Sequence, residues 1–393
     1  MILKKRLRFY IPLLCTLLLC ACTPTAAKPL TTDFPDDEAQ IVRLAAVGDI
    51  YLTDDMLPAF LQSDGGYDFT SLFSGTVNIF AASDLVFGNF EGTFSGTPYG
   101  GQSGSCPDAM AAALHAAGFT VLQTANSYSI QSGMSGLERT LSTLRGSELK
   151  TVGTYASEAE QRDQRAVLLE KNGIRIAFIA LTKGMNGMSL PAGEEYRVDR
   201  LYTDYDSSYS KIDYSQLDRT LSAAKALRPD FIIAGLHWGS ENNDTIRSSQ
   251  GKIADYLVQN GVDIILGSHS HRFSKVEQRS VTVNGLQKKA VIAYSLGDFT
   301  AVRENGVNLS AILQIELRKS RETGVTVVGD VSYTATAAVD RGEGVLPRYQ
   351  ILDADAAVAL YEGNYYDHVT KEVYDAIVRR RQALTDCFNP QES

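Results

Sequence analysis

Only five histidines occur among the 393 residues, and three of them stand directly after apolar runs: His237 in "DFIIAGLHWGSE", and His269 and His271 in "VDIILGSHSHRF". Neutral imidazole binds borderline divalent metals, and carboxylates or amide oxygens complete such sites. Other apolar runs end in "VGDIYL", "GNFEG", "TANSYS" and "SLGDF", which place Asp49, Asn89, Glu91, Asn126 and Asp298 at comparable positions. An Asp after a strand is by itself usually a turn or cap residue. A His-x-His at a strand end is more telling, because the two-residue offset lets one loop wrap one ion or two. The expected chemistry is therefore divalent metal binding, with metal-assisted hydrolysis as the reaction such a site supports. His115, inside an Ala-rich helical stretch, is expected to pack, and His368 to lie at the surface or cap a helix.

The elements that must position these residues are legible as alternating patterns. Strands are expected at 41–48, 84–89, 119–125, 174–182, 230–238, 262–268 and 290–297. Between them, "DAMAAALHAAG", "GLERTLSTLRG", "YSQLDRTLSAAKAL" and "GKIADYLVQNG" carry helical spacing, the last closing on Asn260 and Gly261. Continuous apolar strands alternating with helices indicate an α/β fold with a buried, largely parallel sheet, whose ligands gather beyond the strands' carboxyl ends. After residue 306 the pattern turns to alternating, β-rich segments and a final helix, "DHVTKEVYDAIVRRRQAL".

The N-terminus has a different character. "MILKKRLRF" and "YIPLLCTLLLCAC" form a basic and then a short apolar region, too short to span a bilayer comfortably. "LCAC" matches a bacterial lipobox with Cys20 at a position usually Ser, Ala or Thr, so Cys22 is the expected lipidation site. Alternatives are a plain signal peptide or an uncleaved anchor helix. The expected organisation is a leader at 1–21, a lipidated Cys and flexible tether at 22–40, a main domain at 41–305, and a C-terminal β-rich extension with its helix at 306–393. The protein would then sit on the extracytoplasmic face of a bacterial cell membrane, held by acyl chains. Loss of 1–21 removes Lys4, Lys5, Arg6 and Arg8 and no acid, moving the formal charge from -9 to -13. So acidic a body argues against a nucleic-acid partner, while a bound metal would still admit an anionic substrate. Of five cysteines, Cys106 and Cys387 remain in the mature body, either as one disulfide or as two thiols.

Taken in order, "GDIYLTDDM", "SDLVFGNFEGTFS", "GFTVLQTANSYS", "VGTYASEAE", "GIRIAFIALT", "GLHWGSE", "ILGSHSHRF" and "AYSLGDF" resemble the poly-γ-glutamate capsule-synthesis family of the CapA type. That family is similar to calcineurin-like metallophosphatases. The resemblance covers about residues 41–300. It implies a metallophosphatase-like αββα sandwich with mixed sheets, and metal ligands at Asp49, Asn89, Glu91, His237, His269 and His271. Asn126, one position before the family's Asn, is the substitute candidate for a further metal ligand. Glu241 matches a glutamate of the His-Trp-Gly motif and is, with Tyr128, a catalytic candidate. Manganese, iron or zinc would suit the ligand set. The implied partners are the membrane, through the anchor, and an anionic cell-surface polymer or its synthesis machinery.

The chain also departs from the family pattern. Ser127 and Tyr128 stand where Asn and His are usual, "IQSG" lacks an expected Asp, Ser270 replaces Pro, and Asp298 stands where Asn is usual. Loss of a histidine acting as acid or transition-state donor typically costs factors of about 10² to 10⁴. The leading reading is a membrane-anchored, extracytoplasmic CapA-like protein of poly-γ-glutamate or related surface-polymer production or export, with metal-dependent hydrolysis as its reaction if it is catalytic. The alternatives are a catalytically impaired metal- or polymer-binding scaffold and a metallophosphatase unrelated to capsule.

Overall fold

The computed structural model describes residues 35–283, 286–302 and 306–388. The leader and Cys22 lie outside the described residues. Among the described residues thirteen strands form two sheets. In the first, β1 (Ala39–Ile50), β2 (Leu85–Phe90), β3 (Val121–Gln123) and β4 (Lys150–Val152) run parallel. On the other side of β1, β11 (Val307–Ser320), β12 (Thr326–Asp340) and β13 (Tyr349–Asp353) continue that sheet antiparallel. In the second sheet, β6 (Ile174–Thr182), β7 (Phe231–His237), β8 (Ile264–Ser268) and β10 (Leu286–Ala293) are parallel. They are flanked by the antiparallel edges β5 (Val167–Lys171) and β9 (Val276–Val283). Both sheets are thus mixed, with parallel centres and antiparallel margins.

Strand alternation explains the layering. Leu44, Ala46, Phe87 and Val121 of the first sheet face Ile176, Phe178, Ile233 and Ile264 of the second in one core. Phe87 and Phe178 stack there with ring centroids 6.1 Å apart. The opposite side chains, such as Ala45, Val47 and Val86, meet Phe80, Met110 and Leu114 of the helical layer. On the second sheet's outer face Ile179, Ala234 and Ile265 meet Leu217, Leu221 and Leu257. The result is an αββα sandwich. The strands after 306 complete the first sheet, and Val373, Ile377 and Leu384 of helix Lys371–Phe388 pack on Ala311, Ala335 and Ala337. No helix among the described residues is long and apolar enough to cross a membrane.

His115 departs from the packing expectation. Helix Ala109–Ala117 turns Met110, Ala111, Ala113 and Leu114 inward, which leaves His115 exposed. His368 is exposed, and its backbone N–H donates to Tyr365 O. Cys106 and Cys387 are free thiols, and burial pushes the Cys106 thiol up to about 12.

Candidate metal centre

The parallel strands of both sheets deliver their carboxyl ends to one edge of the sandwich. There Asp49 is the penultimate residue of β1, Asn89 lies near the end of β2 with Glu91 just beyond it, β7 ends in His237, and His269 and His271 follow β8. Two local features aim these groups. A register shift between Ala46 and Asp49 bulges β1, and bulges characteristically re-aim side chains near sites. The shift is stabilised by the loop after β10, since Asp49 N donates to Gly297 O at 2.8 Å and Phe299 N donates to Asp49 O at 2.8 Å. Gly48 permits this approach: a Cβ there would lie 1.9 Å from Gly297 O. Beyond β8, His269 and His271 both adopt left-handed backbone angles, with φ of 91° and 57°. Such geometry is uncommon for non-glycine residues and gathers at functional sites.

The gathered side chains form two groups, Glu91 with His237 and His269, and Asp49 with His271 and Asp298. Within each group the ligand-type atoms lie within 4.8 Å of one another. His237 Nε2 is 3.4 Å from Glu91 Oε1, and its ring centroid is 4.6 Å from that of His269. His271 Nδ1 is 2.7 Å from Asp298 Oδ1 and 3.5 Å from Asp49 Oδ2. Asp49 and Asp298 also meet through a parallel bridge.

Protonation follows from burial and neighbours. Burial, then the charges of the other two histidines, holds His237 well below the usual imidazole range. Burial also lowers His269 to about 3, so both rings are neutral, the form that ligates metal. Burial acts downward on His271 too, but its hydrogen bonds to Asp298 and Asp49 outweigh that and lift it to about 11. Burial, then the charge of Asp49, raises Glu91 well above the carboxylate range. The Glu91–His237 contact is therefore between neutral groups. Among the described residues Glu91 Oε2 is buried without a hydrogen-bond partner, an arrangement that costs free energy unless a ligand completes it. Three imidazoles and three carboxylates, with this orphaned oxygen among them, fit a divalent ion.

The two candidate amides brace the cluster. Asn89 Nδ2 donates to Asp49 Oδ1 at 2.7 Å, while its Oδ1 accepts from Asn126 Nδ2 at 3.1 Å. Asn126 Nδ2 also donates to Phe90 O at 2.6 Å, and its Oδ1 accepts from Tyr128 N at 3.0 Å. Glu241 lies at the exposed rim, its Oε1 3.8 Å from His271 Nε2. Tyr128 is half-buried with its ring 5.8 Å from that of Tyr51. Its hydroxyl makes no hydrogen bond to the two groups among the described residues. Burial, then a hydrogen bond with Tyr51, keeps that hydroxyl above its ordinary pKa.

Sequence reasoning missed three participants. Ser268 Oγ is 3.0 Å from His237 Nδ1, the kind of outer contact that orients a ligating ring. Ser127, flagged only as a substitution, puts Oγ 2.9 Å from His237 Nε2 and 3.4 Å from His269 Nδ1. Lys183 follows β6, where its N–H donates to His237 O at 2.7 Å and its Nζ donates to Gly239 O at 3.0 Å. Burial, then the Arg247 charge, lowers the Lys183 pKa. The one signal for Lys183 was its place immediately after an apolar run.

Fold and site together define a two-sheet α/β sandwich carrying a metal-type cluster on the edge where its parallel strands end. The chain belongs to the bacterial capsule synthesis protein family PGA_cap, whose model matches residues 43–302. It is 26% identical over 309 residues to the PGA biosynthesis protein CapA of Bacillus subtilis (strain 168), covering 75% of this chain and 72% of that protein. It is also 26% identical over 219 residues to the capsule biosynthesis protein CapA of Bacillus anthracis. That match covers 55% of this chain and spans about half, 48%, of the relative. Among solved structures, a phosphatase from Mycoplasma pneumoniae aligns with a TM-score of 0.43 at 13% identity, covering 77% of this chain and 95% of that one. A hypothetical protein from Thermus thermophilus aligns with a TM-score of 0.41 at 14% identity, covering 75% of this chain and 99% of that one.

Proposed function

We propose that this chain works at the outer face of a bacterial membrane in the production or export of poly-γ-glutamate or a related anionic surface polymer. In this account it is tethered through Cys22 and holds manganese, iron or zinc at the strand-end cluster. The observation that carries the reading is the convergence of the groups Glu91–His237–His269 and Asp49–His271–Asp298 on one edge. A divalent ion held there supplies Lewis acidity toward an anionic oxygen and acidifies water. His237 and His269 offer neutral nitrogens, and Asp49, Glu91 and Asp298 offer the carboxylates. At the rim Lys183 meets a carbonyl and the face of Tyr209, Arg247 meets the Ser240 hydroxyl, and Arg272 meets Asn242 O. Lys183 is half-buried and Arg247 and Arg272 are exposed, which suits the three cations to attract an anion to this rim.

Tyr128 favours a second reading, a metal- or polymer-binding scaffold of low turnover, because its raised pKa suits it poorly to protonate a leaving group. Deleting the gene and complementing it separates these functions. The leading reading expects wild type to restore surface polymer, and His269→Ala to fail despite normal protein levels and membrane localisation. Restoration by His269→Ala would contradict it. Turnover of a phosphodiester or amide by the metal-loaded protein favours the hydrolase, and metal and polymer binding without turnover favours the scaffold.

A further inference from the structure

Ser127 is 5% exposed and projects from a tightly constrained turn. Asn126 Oδ1 accepts from Tyr128 N, and Ser129 Oγ accepts from Asn126 N at 2.8 Å. Asn126 Nδ2 ties the same turn to the end of β2 through Phe90 O. The hydroxyl is therefore aimed by backbone geometry, and the point it reaches is chemically unusual. His237 Nε2 lies 2.9 Å away, His269 Nδ1 lies 3.4 Å away, and Glu91 Oε1 is 3.4 Å from the same His237 nitrogen.

The other side of His237 helps to define what this convergence means. Asn89 Nδ2 donates to Asp49 and faces His237 Nδ1 from 3.4 Å, while Ser268 Oγ lies 3.0 Å from that Nδ1. In the tautomer whose Nδ1–H donates to Ser268 Oγ, the Nε2 lone pair turns toward Ser127. A hydroxyl carries one proton and satisfies one imidazole lone pair at a time. Two imidazole nitrogens, a carboxylate oxygen and a hydroxyl oxygen thus share one buried space, beside the orphaned Glu91 Oε2. A cation answers all four at once, since each group offers it a lone pair.

We propose that the Ser127 hydroxyl is a direct ligand of the divalent ion held by Glu91, His237 and His269, giving that ion an O,N,N,O donor set from the protein. This inference rests on the metal reading of the site. It turns a substitution that looks like a lost ligand into a retained oxygen donor.

Cobalt(II) titration of Ser127→Cys, followed by absorption spectroscopy, reads the contact directly. A thiolate bound to cobalt gives a sulfur-to-metal charge-transfer band that the wild-type protein, with oxygen at this position, lacks. The proposal expects that band to saturate at about one cobalt per site. It also expects Ser127→Ala to bind zinc roughly 10–100-fold more weakly than wild type, the scale seen when a ligand's support is removed. Cobalt binding by Ser127→Cys without the band, together with wild-type zinc affinity in Ser127→Ala, overturns the proposal and leaves the metal site standing. Failure of the wild-type chain to bind cobalt or zinc overturns both.

Discussion

His271 and Asp298 are paired across two loops, Nδ1 to Oδ1 at 2.7 Å, with Asp49 Oδ2 3.5 Å from the same nitrogen. The His271 ring is thus held between two carboxylates, whose contacts favour its protonated form.

Metal uptake should accordingly release protons. His271 is raised to about 11 and Glu91 well above its usual range, so both are protonated near neutrality in the metal-free protein and must lose protons to ligate. Affinity is expected to rise with pH between about 6 and 8 by roughly one log unit per pH unit for each proton released. Calorimetry in buffers of different ionisation enthalpy counts those protons, and a pH-independent affinity would contradict this account.

The same pair has a sign for stability. The folded-state pKa of His271 lies above its unfolded value, so its contribution is full below about 6.5 and is lost as pH rises toward 11. His269 works oppositely: its folded pKa of about 3 means stability falls as pH drops below about 6.5. Metal-free Asp298→Asn should lose much of the high-pH dependence. Denaturant melts from pH 5 to 10, compared with wild type, check it.

Gly48→Ala should destabilise the protein by about 1–3 kcal/mol and loosen the site. The added methyl would meet Gly297 O at 1.9 Å, which forces apart the strand and loop that carry Asp49 and Asp298. Thermal melts and metal affinity on the same samples should fall together.

Tyr128→His tests the low-turnover reading. If the tyrosine is the deficit, this variant gains about 10² to 10⁴ in hydrolysis of a generic phosphodiester, the usual contribution of a positioned acid. Unchanged rates with intact metal binding would place the limitation elsewhere.

Much of this site was legible because it lies at strand ends. Runs such as "DFIIAGLHW" and "VDIILGS" are continuous and apolar, as expected for strands buried on both faces, so the polar residue after each was easy to place. The mixed sheets were implied by family resemblance rather than by pattern. The edge strands Lys150–Val152 and Val276–Val283 are short or largely polar and leave little signal. Ser127 and Lys183 were hidden for a different reason. Their importance depends on which loop faces which histidine, and for Lys183 on the register that sets Thr182 beside His237. Asp298 was legible as a strand-end carboxylate but its partner was not, since its contact with His271 spans 27 residues.

Metal content tests the central claim most directly. Wild-type protein and His269→Ala, each purified after growth with manganese, iron and zinc, should be measured by inductively coupled plasma mass spectrometry. The account predicts one to two divalent ions per wild-type chain and a clear loss in His269→Ala, with both proteins folded by circular dichroism. Folded wild-type protein that holds none of the three metals, or a His269→Ala variant that retains the full complement, would contradict it.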